Sequence, residues 1–239
     1  LLNFKGLPDH IKIGCTYSLL DKRFEGKNKL DYCIFSYPYG LFPVVWSVMQ
    51  NNFVTNTIGK IHKKIINQNK DVIFFHSLTN YYSYLIKPKN LFFFHNINQK
   101  KELSHNLASD FNYNSSALEI MIGLAKYIGI KKIYLLGCDY LGDPIGYGHF
   151  YSAGKLNYNL QDEFHSGEEQ KKYKNRIKEI SEGLKVNVVL PKNIKCSDFN
   201  VITIEEFSSH HEEYIENSEI LRHEYIPLLE EGQIKNVIY

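Results

Sequence analysis

SSALEIMIGLAKYIGIKKIYLLGCDY, residues 115–140, decides the fold. Leu118, Ile122, Ala125 and Ile128 recur at three- and four-residue spacing, Ser115 or Ser116 stands where a helix is capped, and Gly129 stands where one ends. That pattern predicts a helix over 115–128. Ile133, Tyr134, Leu135 and Leu136 then form a continuous apolar run, not an alternating one, as expected of a parallel strand covered on both faces. The run ends on Gly137, Cys138, Asp139 and Tyr140. Open α/β sheets bind ligands at the carboxyl ends of their strands, so these four residues are candidate ligand contacts.

Outward from this unit, strands are predicted at 11–15, 31–35, 72–75, 91–94, 132–136, 187–190 and 201–204. Helical patterns fall at 43–50, 56–67, 79–85, 115–128 and 168–184. The last places Tyr173, Ile177, Ile180 and Leu184 opposite Glu169, Lys172, Arg176 and Glu179, so it packs by one side. Strands alternating with helices give βαβ units. The predicted fold is therefore α/β, with a Rossmann-like, mostly parallel sheet, helices on both faces and a lid-like loop after the central strand. Residues 1–204 read as one such domain and 205–239 as a helical C-terminal segment. No internal repeat is present.

A chain of 239 residues that is 44% hydrophobic can bury a full core. Its net charge of +2, with dispersed lysines, argues against nucleic acid as a partner. Cys15, Cys33, Cys138 and Cys196 are far apart, form no CxxC pair, and mostly lie in or beside predicted strands. They read as reduced, buried thiols of a cytoplasmic protein. No apolar run approaches the roughly 20 residues that cross a bilayer. The opening LLNFKGLPDH carries no methionine, as if sequence upstream were missing. His210-His211 beside Glu212-Glu213 has no recognisable third ligand and reads as solvated surface; no metal is expected.

Residues 141–167, LGDPIGYGHFYSAGKLNYNLQDEFHSG, hold five glycines, a proline and several aromatic residues directly after the key strand. Loops of such length are usually functional or disordered, and the aromatic content argues against disorder. The segment reads as an active-site lid.

LPDHIKIGC, LDYCIFSYP, SSALEIMIGLAKYIGIKKIYLLGCDY and FHSGEEQ followed by a helix and VNVVLPK, taken in order, resemble glycosyltransferase family 42, the bacterial sialyltransferases. They also resemble the related motility accessory factor and hydroxymethylpterin diphosphokinase group. The spacing from Asp139 to His165 and on to Pro191 makes family 42 the closer fit. The resemblance implies an inverting transferase that moves a sialic acid-like sugar from a nucleotide donor such as a CMP-sugar to a glycan acceptor, with no metal and no further cofactor. His165, followed by Ser166, matches the family's general base. Tyr147 matches a tyrosine that holds the departing phosphate; the family's second tyrosine falls on Leu141, leaving Tyr140 or Tyr151 to serve. Ser116 and Ala117 stand where the family has Thr-Ser at a helix start that can hold a phosphate or carboxylate.

The chain departs from the family at its Gly-Asn-Gly-Pro-Ser loop, which would lie upstream of Leu1, and at nucleotide-contacting asparagines that fall near Thr16-Tyr17 and Tyr37-Pro38. Two alternatives therefore stand beside sugar transfer. One is a Mg²⁺-dependent pterin or nucleotide diphosphokinase of the motility-accessory group, in which His149 is the competing histidine. The other is a non-catalytic nucleotide-binding domain. In family 42 a C-terminal segment can assist peripheral attachment at the inner face of the membrane. Here 205–239 carries nine glutamates against Arg222 and Lys235, which favours docking on the domain or on a neighbouring subunit of a homo-oligomer.

Overall fold

The computed structural model describes residues 10–15, 18–36, 52–95, 103–109, 111–113, 116–143, 167–208, 222–225 and 227. The predicted helix at 43–50 and most of the lid lie outside these residues. The chain divides into two compact units, one made of Ile11–Leu124 with Ile220–Tyr239, the other of Leu1–His10 with Ala125–Glu219.

The first unit is built on β1 (Ile13–Cys15), β2 (Tyr32–Phe35), β3 (Ile73–Ser77) and β4 (Leu91–Phe94), joined in that order into a four-stranded parallel sheet. Tyr32 pairs with Ile13 on one side and Ile73 on the other, and Phe74 pairs with Leu91. Helix α1 (Asn52–Gln68) connects β2 to β3. The other connections use short 3₁₀ turns, including Leu78–Ser83 where a helix over 79–85 is predicted. α1 buries Ile61, His62, Ile65 and Ile66 at helical spacing while Lys60 and Lys63 stay exposed. On the sheet Cys33, Ile34, Phe35 and Phe74 are all fully buried, and His62 of α1 stacks on Phe35 at 4.0 Å. Phe35 stacks on Phe74 with ring centroids 5.7 Å apart.

Helix α2 (Ala117–Tyr127) follows the predicted boundaries within two residues. Ser116 is its cap, its Oγ accepting the Glu119 N–H at 3.2 Å. The helix ends as predicted at Gly129, whose φ of 82° is open to glycine at little cost, with the Ile130 N–H bonded to the Ala125 carbonyl at 2.9 Å.

The second unit holds β5 (Lys132–Leu135), β6 (Lys185–Leu190) and β7 (Asn200–Thr203), again parallel and in sequence order. α3 (Gly167–Ile180) makes the crossover from β5 to β6, and α4 (Ile204–Ser208) follows β7. All seven predicted strands are present, and the expected parallel pairing holds throughout. They lie in two sheets flanked by helices. β6 is the most deeply covered, with Val188, Val189 and Leu190 buried. Asn187, also buried, faces Asn200 in register, accepts a 2.6 Å hydrogen bond from its Nδ2, and donates to the Ile133 carbonyl at 3.3 Å. The buried Asn187 side chain is thus satisfied from both sides, by exposed Asn200 and by the β5 backbone. On β5, Tyr134 is covered by His10, stacked at 5.6 Å, and by Phe207 at 4.8 Å. The four cysteines are free, and three of them are buried.

Residues at the far C-terminal side dock on the first unit. The Arg222 N–H donates to the Leu20 carbonyl at 2.9 Å, and its guanidinium lies 3.2 Å from Glu25. Tyr225 is fully buried, with Lys64 Nζ 5.1 Å above its ring and bonded to the Glu224 carbonyl.

Gly123 tests the packing of α2. A Cβ there would lie 2.6 Å from Phe111 Cε2 and 2.8 Å from Tyr113 Cγ, and both rings are buried. Gly123→Ala would gain about 1 kcal/mol of helix propensity yet force these rings apart, a net loss of about 1–3 kcal/mol. Thermal denaturation should show a lower Tm for the alanine variant; an unchanged or higher Tm contradicts this packing.

Candidate functional site

The carboxyl end of β5 is built by a reversal and a clamp. Gly137 has φ 69°, a left-handed conformation that a side chain would strain, and it turns the chain into the 3₁₀ turn Asp139–Leu141. The first turn of α3 holds that segment in place. Gln170 Nε2 donates to the Tyr140 carbonyl at 3.0 Å and to the Gly142 carbonyl at 2.9 Å, so one carboxamide satisfies two loop acceptors. One turn further along, Tyr173 meets Tyr140, their hydroxyls 3.4 Å apart and their rings edge to face.

Lys174 completes the attachment. Its Nζ is buried and lies 3.2 Å from both Asp143 carboxylate oxygens and 3.8 Å from Asp198. Asp143 in turn exchanges backbone hydrogen bonds with Lys195, 2.6 Å from its N–H and 3.2 Å to its carbonyl. The Asp198 carboxyl is held below its usual range first by its hydrogen bond to Lys178, with the charges of Lys178 and Lys174 adding to it.

Burial pushes the Tyr140 phenol well above its ordinary pKa, and Cys138 and Tyr173 push in the same direction. At neutral pH the Tyr140 phenol therefore keeps its proton and can serve as a hydrogen-bond donor. Cys138 is also buried, its Sγ 3.8 Å from the Leu136 carbonyl.

Of the residues predicted from sequence, Gly137, Cys138, Asp139 and Tyr140 lie together at this turn. Ser116 and Ala117 belong to the other unit, where the Ser116 hydroxyl caps α2. Tyr147, His149, Tyr151, His165 and Ser166 lie outside the described residues. Sequence reasoning missed Gln170 and Lys174. Lys174 carried a signal, since it lies three residues before Ile177 on the buried side of α3.

A second polar cluster, also missed, sits at the carboxyl ends of β2 and β3 in the first unit. His62 of α1 stacks on Phe35 at 4.0 Å, and His76 of β3 lies 5.7 Å from His62 and 6.1 Å from Tyr84. Asn80 Nδ2 is 3.1 Å from His76 Nδ1, while His76 Nε2 and the Tyr84 hydroxyl are buried without a hydrogen-bond partner. A histidine interrupting each of two apolar stripes was the sequence signal. Among the described residues, no group of three or more His, Cys, Asp or Glu could hold a metal ion.

No protein-family model, curated protein or solved structure matches this chain. The geometry therefore carries the functional argument alone.

The histidine pair sets a pH dependence. Burial drives the His76 pKa from 6.5 down to about 3, and burial together with the charge of His76 drives His62 well below 6.5. Both are neutral when folded but take up protons on unfolding once the pH is below 6.5. Their contribution is thus complete above that pH and is lost as pH falls through it toward the folded values, by up to about 1.4 kcal/mol per pH unit for each histidine. Urea denaturation should show falling stability from pH 7 to pH 5, with a shallower fall in the His62→Gln/His76→Gln variant. A flat profile for the unaltered protein would contradict the assignment.

Proposed function

We propose that this chain is an inverting glycosyltransferase, resembling the bacterial sialyltransferases, that moves a sugar from a nucleotide donor to a glycan acceptor without a metal. The observation that carries the reading is the fastening of the first turn of α3 to the carboxyl end of β5 through Gln170. His165 precedes Gly167, the first residue of α3, by two positions. The base proposed from the resemblance thus belongs, in sequence, to the segment that enters the clamped helix.

In this reading His165 takes the proton of the acceptor hydroxyl as its oxygen bonds to the anomeric carbon. An imidazole titrating near neutrality suits that transfer. The bond from that carbon to the donor phosphate breaks with its electron pair leaving on the phosphate oxygen. Tyr147 and Tyr140 donate hydrogen bonds to the departing nucleotide phosphate, and the raised pKa of Tyr140 keeps its proton in place for this role. Gly137 lets the backbone approach the donor closely, with Asp139 beside it. Cys138, His149, Tyr151 and Ser166 are the remaining proposed donor-site contacts. A CMP-sugar is the donor to try first.

The test is nucleotide release and sugar transfer from a panel of CMP-, UDP- and GDP-sugars in EDTA. His165→Ala should lower kcat by about 10²–10⁴, and Tyr140→Phe by about tenfold or more, with thermal stabilisation by CMP unchanged by EDTA. Full activity in His165→Ala would defeat the mechanism. Stabilisation by ATP that appears only with Mg²⁺ would instead indicate a diphosphokinase.

A further inference from the structure

The connection from β3 to β4 ends in a projecting apolar tip that the proposed chemistry does not use. Leu85 is 99% exposed and Ile86 88% exposed, adjacent residues of the kind normally buried. Tyr81 and Tyr82, also exposed, stand edge to face with ring centroids 5.4 Å apart. The base of the projection is fixed. Tyr84 is buried against Phe93 and His76, and Asn90 Nδ2 bonds the carbonyls of Asn69 and Val72 at 3.1 and 2.9 Å. Leu85 and Ile86 thus point outward from a rigid stem.

The charges on this segment are lysines. Lys87 lies 4.0 Å over the Tyr81 ring, Lys63 lies 5.7 Å over the Tyr84 ring, and Lys89 is exposed beside them. The chain has no Asp or Glu between Asp71 and Glu102. Exposed aliphatic side chains together with exposed tyrosines and lysines on one short segment are the combination that suits an anionic bilayer surface.

We propose that the Leu85–Ile86 tip is a membrane-docking element that inserts into the surface of a bilayer containing anionic lipid. It needs no transmembrane span, and no helix among the described residues is long and apolar enough to form one. The element is independent of the site at β5, so failure of one reading leaves the other standing.

Sedimentation of the full chain with phosphatidylcholine vesicles, with and without phosphatidylglycerol, tests the proposal. The protein should partition onto the anionic vesicles only, and more weakly at high salt. L85S/I86S should bind at least about tenfold more weakly, and K89Q about fivefold. Both variants should keep the parent circular dichroism and Tm, because the altered side chains are exposed. Absence of the protein from every vesicle pellet, or equal binding by L85S/I86S, would overturn the proposal. So would a dimer in sedimentation equilibrium that L85S/I86S dissolves, since the tip would then be occupied by a second copy of the chain.

Discussion

Among the described residues, each strand is three to six residues long, and each strand pairs with its neighbours in parallel. Parallel neighbours cannot be joined by a tight hairpin, so each pair depends on a connection that leaves one end of the sheet and returns to the other. The packing of those connections, as much as the ladders, holds the strands in register. The buried face of α1, with His62 stacked on Phe35, does this in one unit. In the other, the links from α3 to the segment after β5 do it through Gln170, Tyr173 and Lys174.

The same requirement explains why much of the fold was legible. A short strand covered on both faces must be apolar along its whole length, so runs such as IYLL, VNVVL and LFFF stand out from their surroundings. α2 was readable from its spacing because its apolar positions, its cap at Ser116 and its stop at Gly129 agree. The segment after β3 was misjudged in type. Its apolar and aromatic residues, Leu78 to Tyr84, fit a helical spacing, but the chain forms a 3₁₀ turn there that buries Asn80 and Tyr84 and leaves Tyr82 outside.

The site was legible in place more than in parts. The glycine and the residues that follow it marked the strand's carboxyl end, as a reversal in backbone direction there requires. Gln170 was invisible because its role is to satisfy two main-chain carbonyls, and a sequence does not show which carbonyls will lack partners. Lys174 was hidden by a rule that is usually right, that a lysine on an amphipathic helix faces water. Here carboxylates from two separate loops compensate its burial. His62 and His76 escaped notice for the opposite reason, being polar residues inside runs that read as core.

The docking of Arg222 and Tyr225 has a bearing on how the protein is made. The four-stranded unit is interrupted in the chain by Ala125–Glu219 of the other unit, and Tyr225, one of its buried aromatic rings, lies beyond that interruption. On the ribosome, β1 to β4 emerge long before Tyr225 does. The earlier-synthesised strands therefore wait, with a vacant seat beside α1, until Ala125–Glu219 has been made, and a nascent polypeptide released before Tyr225 would lack that closing plug.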